Sequence, residues 1–286
     1  PDSRYCARLP GQLIIDRADE TPSGNIMSSL RIGAVSYLNT KPLVYGLEQL
    51  LPSAELVYDL PSRLADDLAE GRLDVALIPT VEYFQDPSYQ VVSDACIACR
   101  GPVLSVSLLS RCPRSEIRSL ALDEGSRTSV ALVQILLREQ YGLTPSLLPL
   151  PIGSAAQDVD ADAVLVIGDR AIHAEKGGFV EAWDLGDEWC RWSGLPFVFA
   201  MWTARGGLSI DLGPLQEALE TARDAGLANL ASIARQEAGT LGLNEQQCLA
   251  YLRDNLHFSL GEKEREGLEL FRQYAGTGIL GLEAAE

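Results

Sequence analysis

The chain has 286 residues, 47% of them hydrophobic, enough for one large core or two of roughly 100–150 residues each. Its 40 acidic and 23 basic residues give a net charge of −17, which argues against nucleic acid as a partner because phosphate backbones need clustered Lys and Arg. The acids are spread along the chain as plain solubilising charge, and no apolar run reaches the ~18 residues of a membrane span.

Residues 1–26 have no apolar stretch followed by a small-residue cleavage site, so they do not read as a secretory signal. Met27 directly precedes "SSLRIGAV", where organised structure is expected to begin; residues 1–29 read as a loosely attached extension. From residue 30 strands alternate with helices. Strand patterns lie in "LRIGAV", "ELVYDL", "LDVALIP", "VLSVSLLS", "SLALD", "SLLPL", "AVLVIG" and "FVFAMWTA". Between them, helices are predicted over Pro42–Leu50, Ser62–Glu70 and Thr128–Gln140, the last apolar on nearly every side and therefore deeply packed. This rhythm predicts an α/β fold with mixed sheets covered by helices. After about residue 210 come amphipathic helices, broken near Gly226 and Gly239, to which the sequence assigns packing and no chemistry.

One pattern recurs: a strand end carrying small polar residues, followed by a helix start. It occurs at Ser36–Thr40, at Pro79–Glu82, at Gly125–Ser129 and at Gly168–Arg170. Strand carboxyl ends line the ligand crevice of α/β sheets, and helix N-termini offer unpaired N–H groups and partial positive charge. Any single junction is explained by helix capping alone. Four together point to a cleft for a carboxylate or phosphate. With only three lysines (Lys41, Lys176, Lys263), such an anion would be held by a few arginines, backbone N–H groups and neutral donors. Ser105 and Ser107 sit on one side of an apolar strand, where buried hydroxyls need partners. Trp189, Trp192, Phe197, Phe199 and Trp202 form either core or the wall of a pocket for a ring-shaped ligand.

Metal and redox chemistry find little support. Cys96 and Cys99 form the one CxxC, at the end of an apolar strand and not at a helix start; with only two histidines, His173 and His257, no four-ligand zinc spacing is present. The cysteines read as reduced and mostly buried. GxxxxGK[ST], GxSxG and HExxH are all absent from the sequence.

The runs "RIGAVSYLNTKPL", "DVALIPTVEYF", "GPVLSVSLLS", "SRTSVALVQILL", "VLVIGDRAI" and "WSGLPFVFAMW", in this order between residues 31 and 205, resemble the chorismate dehydratases of the futalosine route to menaquinone. The resemblance implies the two-lobed fold of type II periplasmic-binding proteins, with ligand in the cleft. Residues 30–106 plus 200–286 would form one lobe and 107–199 the other, with "GPVLSVSLLS" and "PFVFAMWTA" as the crossing strands. It implies a cytoplasmic, cofactor-free enzyme with chorismate as its small-molecule partner, acting on neither nucleic acid nor membrane.

The implied reaction eliminates water from chorismate to give 3-[(1-carboxyvinyl)oxy]benzoate. Asn39 and Ser105 match the family's active-site asparagine and serine and would be catalytic. Ser126, Arg127, Thr128 and Ser129 would grip a carboxylate, with Tyr37, Thr80 and Asp169 as further cleft candidates. For the base, Glu82 and Asp169 are poor neighbours for a dianion. His173 reads as a surface or packing residue, so the substrate's own enolpyruvyl carboxylate is the favoured proton acceptor. Lys41 is expected to be an exposed helix-start side chain. The alternatives are the dihydroxynaphthoate synthase of the same pathway and a non-catalytic carboxylate-binding protein.

Overall fold

The computed structural model describes residues 30–172 and 177–276; the expected extension with Met27, and also His173 and Lys176, fall outside them. In chain order the first half contains β1 (Arg31–Val35), α1 (Leu47–Leu50), β2 (Glu55–Asp59), α2 (Pro61–Ala69), β3 (Val75–Pro79), α3 (Thr80–Tyr83) and β4 (Gln90–Cys99). Then come β5 (Val106–Ser110), β6 (Ser119–Asp123), α4 (Thr128–Tyr141), β7 (Ser146–Leu150), β8 (Ala163–Ile167), α5 (Asp169–Ile172), β9 (Glu181–Asp184) and α6 (Leu185–Ser193). The remainder comprises β10 (Phe197–Ala204), α7 (Gly213–Ala228), α8 (Leu230–Glu237), α9 (Glu245–Ala250), β11 (His257–Ser259) and α10 (Glu262–Gly276).

These strands make two mixed sheets. The first, ordered β11-β4-β10-β3-β1-β2, is parallel at β3-β1-β2 and antiparallel where β10 joins β3 and β4. The second, ordered β7-β6-β8-β5-β9, is parallel at β7-β6-β8 and antiparallel around β5. β3 ("VALIP") and β8 ("AVLVI") are buried at every position, as central strands covered on both faces must be. β2 and β7 form edges and are largely half-buried or exposed. The helix α4 buries side chains all round its first ten residues, as its unbroken apolar run requires.

Two local expectations are corrected. The α-helix predicted over Pro42–Leu50 is instead a 3₁₀ segment, Leu38–Val44, followed by the single turn α1. Pro42 inside the run has no N–H to donate, and Gly46 takes a left-handed φ of 73° between the two pieces. Of the two runs expected to cross between lobes, "GPVLSVSLLS" contains the outgoing passage, whereas "PFVFAMWTA" lies differently: β10 stays in the first sheet throughout. The chain leaves that sheet after Cys99, enters the second at Val106, and returns through α6. The aromatic cluster is core: Phe271 meets Phe197 at 4.9 Å and Trp189 at 6.0 Å between ring centres. Phe199 of the cluster also lines the pocket between the sheets.

Candidate active site

The two sheets meet at a pocket of about 520 Å³, counting its open mouth, to which all four polar junctions contribute. Its polar wall is Tyr37, Asn39, Ser105, Ser126, Thr128 and Ser129; its apolar wall includes Val35, Ile97, Val103, Ile167 and Phe199. Among the described residues, no Asp, Glu, Lys, Arg or His lines it.

Asn39 rides on the 3₁₀ segment that follows β1. The segment's first N–H, from Leu38, donates to the Asp169 carboxylate, at 3.2 and 3.4 Å to its two oxygens. Thr40 Oγ1 donates to Asn39 Oδ1 at 3.4 Å, leaving the amide NH₂ as the donor that Asn39 can offer a ligand. Tyr37 lies flat over Gly168, where a Cβ would come within 2.8 Å of its ring; at φ 68° that position also suits glycine alone. Burial, together with the neighbouring Asp123 and Asp169 and against Arg170, pushes the Tyr37 phenol up to about 12, so it is a hydrogen-bonding group and not a base near neutrality.

Ser105 belongs to no strand: it ends the crossing segment just before β5. Its N–H bonds back to the Val103 carbonyl at 2.7 Å, closing a three-residue turn around Leu104, the one non-glycine residue described with positive φ (60°). Turns of this hand are rare and cost about 1–3 kcal/mol unless the surroundings hold them. Here Asp184 does so, accepting the N–H groups of Val103 at 3.0 Å and Leu104 at 2.6 Å while also capping α6 through Asp187 N–H at 3.0 Å. Burial raises the pKa of the Asp184 carboxyl, and the three N–H groups counter that rise only in part. On its other side, the Ser105 carbonyl accepts Gly168 N–H at 2.8 Å. Ser105 is thus nearly fully buried, with its backbone fixed from both sides.

At the third junction Ser126 Oγ caps α4 by accepting Ser129 N–H at 3.3 Å, and Thr128 Oγ1 accepts Val81 N–H at 3.2 Å from α3. The structure therefore brings Tyr37, Asn39, Ser105, Ser126, Thr128 and Ser129 together. It does not bring Arg127 into the pocket: the guanidinium is held by Asp66 at 2.7 Å and Glu82 at 3.2 Å. Thr80 is buried outside the lining, which takes Pro79 from that junction, and its hydroxyl has no hydrogen-bond partner among the described residues. Asp169 stands beside the pocket, lining a neighbouring cavity with Asp123 and Arg170, and acts on Asn39 through the Leu38 N–H. Lys41 turns to α8, where it pairs with Glu237 at 3.0 Å. Asp184 was not among the sequence candidates; its signal is the cap spacing to Asp187, which says nothing of the distant loop it also holds.

A two-sheet α/β frame with ligand groups gathered between the sheets is the architecture of periplasmic-binding-type proteins, and solved structures share it. A protein from Archaeoglobus fulgidus superposes with a TM-score of 0.68 at 16% identity, covering 88% of this chain and 98% of its own. A Candida albicans protein described as having the generic periplasmic binding protein fold gives 0.62 at 11% identity, covering 90% and 92%. The sequence is more specific. A family model for menaquinone biosynthesis matches residues 30–277, and the chain belongs to that family. A chorismate dehydratase from Thermus thermophilus is 31% identical over 262 residues, 86% of this chain and 94% of the relative. A second, from Campylobacter jejuni, is 29% identical over 174 residues, 59% and 64% of the two chains.

Proposed function

We propose that the protein is a chorismate dehydratase, removing water from chorismate to give 3-[(1-carboxyvinyl)oxy]benzoate for menaquinone biosynthesis by the futalosine route, in the cytoplasm. The observation that carries this reading is the convergence of Asn39, from the segment after β1, and Ser105, from the segment before β5, on one pocket of neutral donors in a chain of this family.

The reaction breaks the C–H bond at the ring carbon bearing the enolpyruvyl ether and the C–O bond at the neighbouring carbon. The electron pair from the first forms the new ring double bond, and the departing hydroxide takes a proton to leave as water. The ring becomes aromatic, which drives the step, and carbon undergoes no net oxidation. What remains for the protein is to bind a dicarboxylate in one pose and support the leaving hydroxyl. The Asn39 NH₂ and the hydroxyls of Ser126, Thr128 and Ser129 are suited to hold carboxylate oxygens, and Ser105 to donate to the leaving hydroxyl. A lining without an ionised side chain fits the substrate's enolpyruvyl carboxylate as the proton acceptor: neutral amide and hydroxyl groups orient it without competing for the proton.

The test is incubation of the purified protein with chorismate, followed by chromatography and mass spectrometry. The expected product is lighter than chorismate by one water and shows a meta-substituted benzoate spectrum. Asn39→Ala and Ser105→Ala should each lower kcat by about 100-fold, the usual effect of losing a preorganised donor. Unchanged chorismate at high enzyme concentration would overturn the assignment; full turnover by either variant would overturn the role given to that residue.

A further inference from the structure

Tyr251 opens a single π-helical turn, Tyr251–Asn255, that continues α9. Such turns are uncommon inside helices and concentrate at functional sites. Tyr251 is 1% exposed and its hydroxyl completes no ordinary hydrogen bond among the described residues. Burying a phenol hydroxyl unpaired is costly, and a residue kept for packing alone would serve better as phenylalanine. The groups it faces are the side chains of Ser105 and Asn39. It is not part of the pocket lining, so it stands behind the two residues that are. The same turn is tied to the segment leading to Ser105: Asn255 Nδ2 donates to the Pro102 carbonyl at 2.9 Å.

We propose that Tyr251 is a positioning residue of this site: its O–H donates to Ser105 Oγ, so that the serine's own proton points into the pocket, while Asn39 is held beside it. The inference rests on the dehydratase reading for its kinetic consequences alone; the geometry is independent of it. Burial keeps the phenol protonated far above neutrality, consistent with a permanent donor. In this arrangement Tyr251 touches no substrate atom. It removes the rotational freedom of a hydroxyl that would otherwise point either into the pocket or back into the core.

The test is Tyr251→Phe in the full chain, alone and combined with Ser105→Ala. Tyr251→Phe should lower kcat about tenfold, with KM for chorismate within about twofold and Tm lower by no more than a few degrees, since it deletes one oriented hydrogen bond and no packing. On the Ser105→Ala background it should have no further effect, because there is no hydroxyl left to orient. Wild-type kcat in Tyr251→Phe overturns the proposal. So does an undiminished tenfold loss on the Ser105→Ala background, or a loss of kcat that comes with a fall in Tm of about ten degrees or more. A parent protein that leaves chorismate untouched sinks the dehydratase reading instead. Tyr251 is then judged by the Asn39 side-chain amide signal in a nitrogen-15 NMR spectrum, identified by its disappearance in Asn39→Ala. A shifted signal in Tyr251→Phe supports the positioning role, and an unmoved one overturns it.

Discussion

Tyr37 shows how one side chain ties the site to the stability of the fold. Its phenol is pushed from an ordinary 10 up to about 12, first by burial and then by Asp123. Between those values the unfolded chain has released the proton and the folded chain still holds it, so folding stability falls as pH rises through this window. Tyr37→Phe lacks that component and should lose stability less steeply, as urea unfolding at pH values on either side of 10 would measure. Asp184 ties the site to the fold through the backbone, as an acceptor for three N–H groups. Asp184→Ala should cost about 3 kcal/mol, at about 1 kcal/mol per bond, and should lower kcat as well, because Leu104 is no longer held at its φ of 60° beside Ser105. Urea unfolding and steady-state rates on the same preparation check both. Asn39, Ser105 and the Ser126–Ser129 hydroxyls were legible in the sequence because polar residues at a strand end stand out against apolar flanks. Asp184, Tyr251 and the fate of Arg127 were not, since each depends on partners 45 or more positions away or on a face that reads as core.

At the scale of elements, the 3₁₀ segment Leu38–Val44 is the piece on which the site depends most. It packs against α7 so closely that a Cβ on Gly226 would collide with the Pro42 carbonyl. The glycine that reads in the sequence as a break in a helix is thus a contact point inside a continuous one, Gly213–Ala228. Gly226→Ala should destabilise the protein by about 2 kcal/mol through overpacking and, by shifting Asn39, lower kcat more than the stability loss alone explains. Thermal melts and rates measured on the same variant test this, with the surface change Gly239→Ala, where nothing lies near the added Cβ, as the control. The buried strands and α2 and α4 were readable because hydrophobic period and length agree in them. β9 and β11, four and three residues long, carry too little pattern to read. The α-helix expected over Pro42–Leu50 failed on a physical point: its apolar spacing is helical, but proline and a left-handed glycine divide it into two shorter pieces.

For the whole molecule, a ligand seated between the sheets gains contacts from both, so binding should stabilise the assembled form. The benzoate product at a hundredfold excess over its Kd should add about 2.7 kcal/mol to the folding free energy, read as a rise in Tm that Asn39→Ala diminishes. The ion pairs of Arg127 carry a further consequence. Asp66 and Glu82 cancel the one arginine that the sequence placed at the site, so among the described residues no cation in the pocket lining offsets the charge of −17 spread over the chain. A dianion approaching such a surface is repelled at long range and captured only at contact, by short-range donors. Added salt should therefore help the encounter, the reverse of enzymes that steer their substrates with a positive funnel. Between about 0.01 and 0.1 M salt the screening length shrinks from about 30 to 10 Å, and kcat/KM for chorismate should climb over that range while kcat stays level. Such a catalyst is tuned to the ionic strength of its surroundings through the rate of arrival, leaving the chemical step itself indifferent to salt.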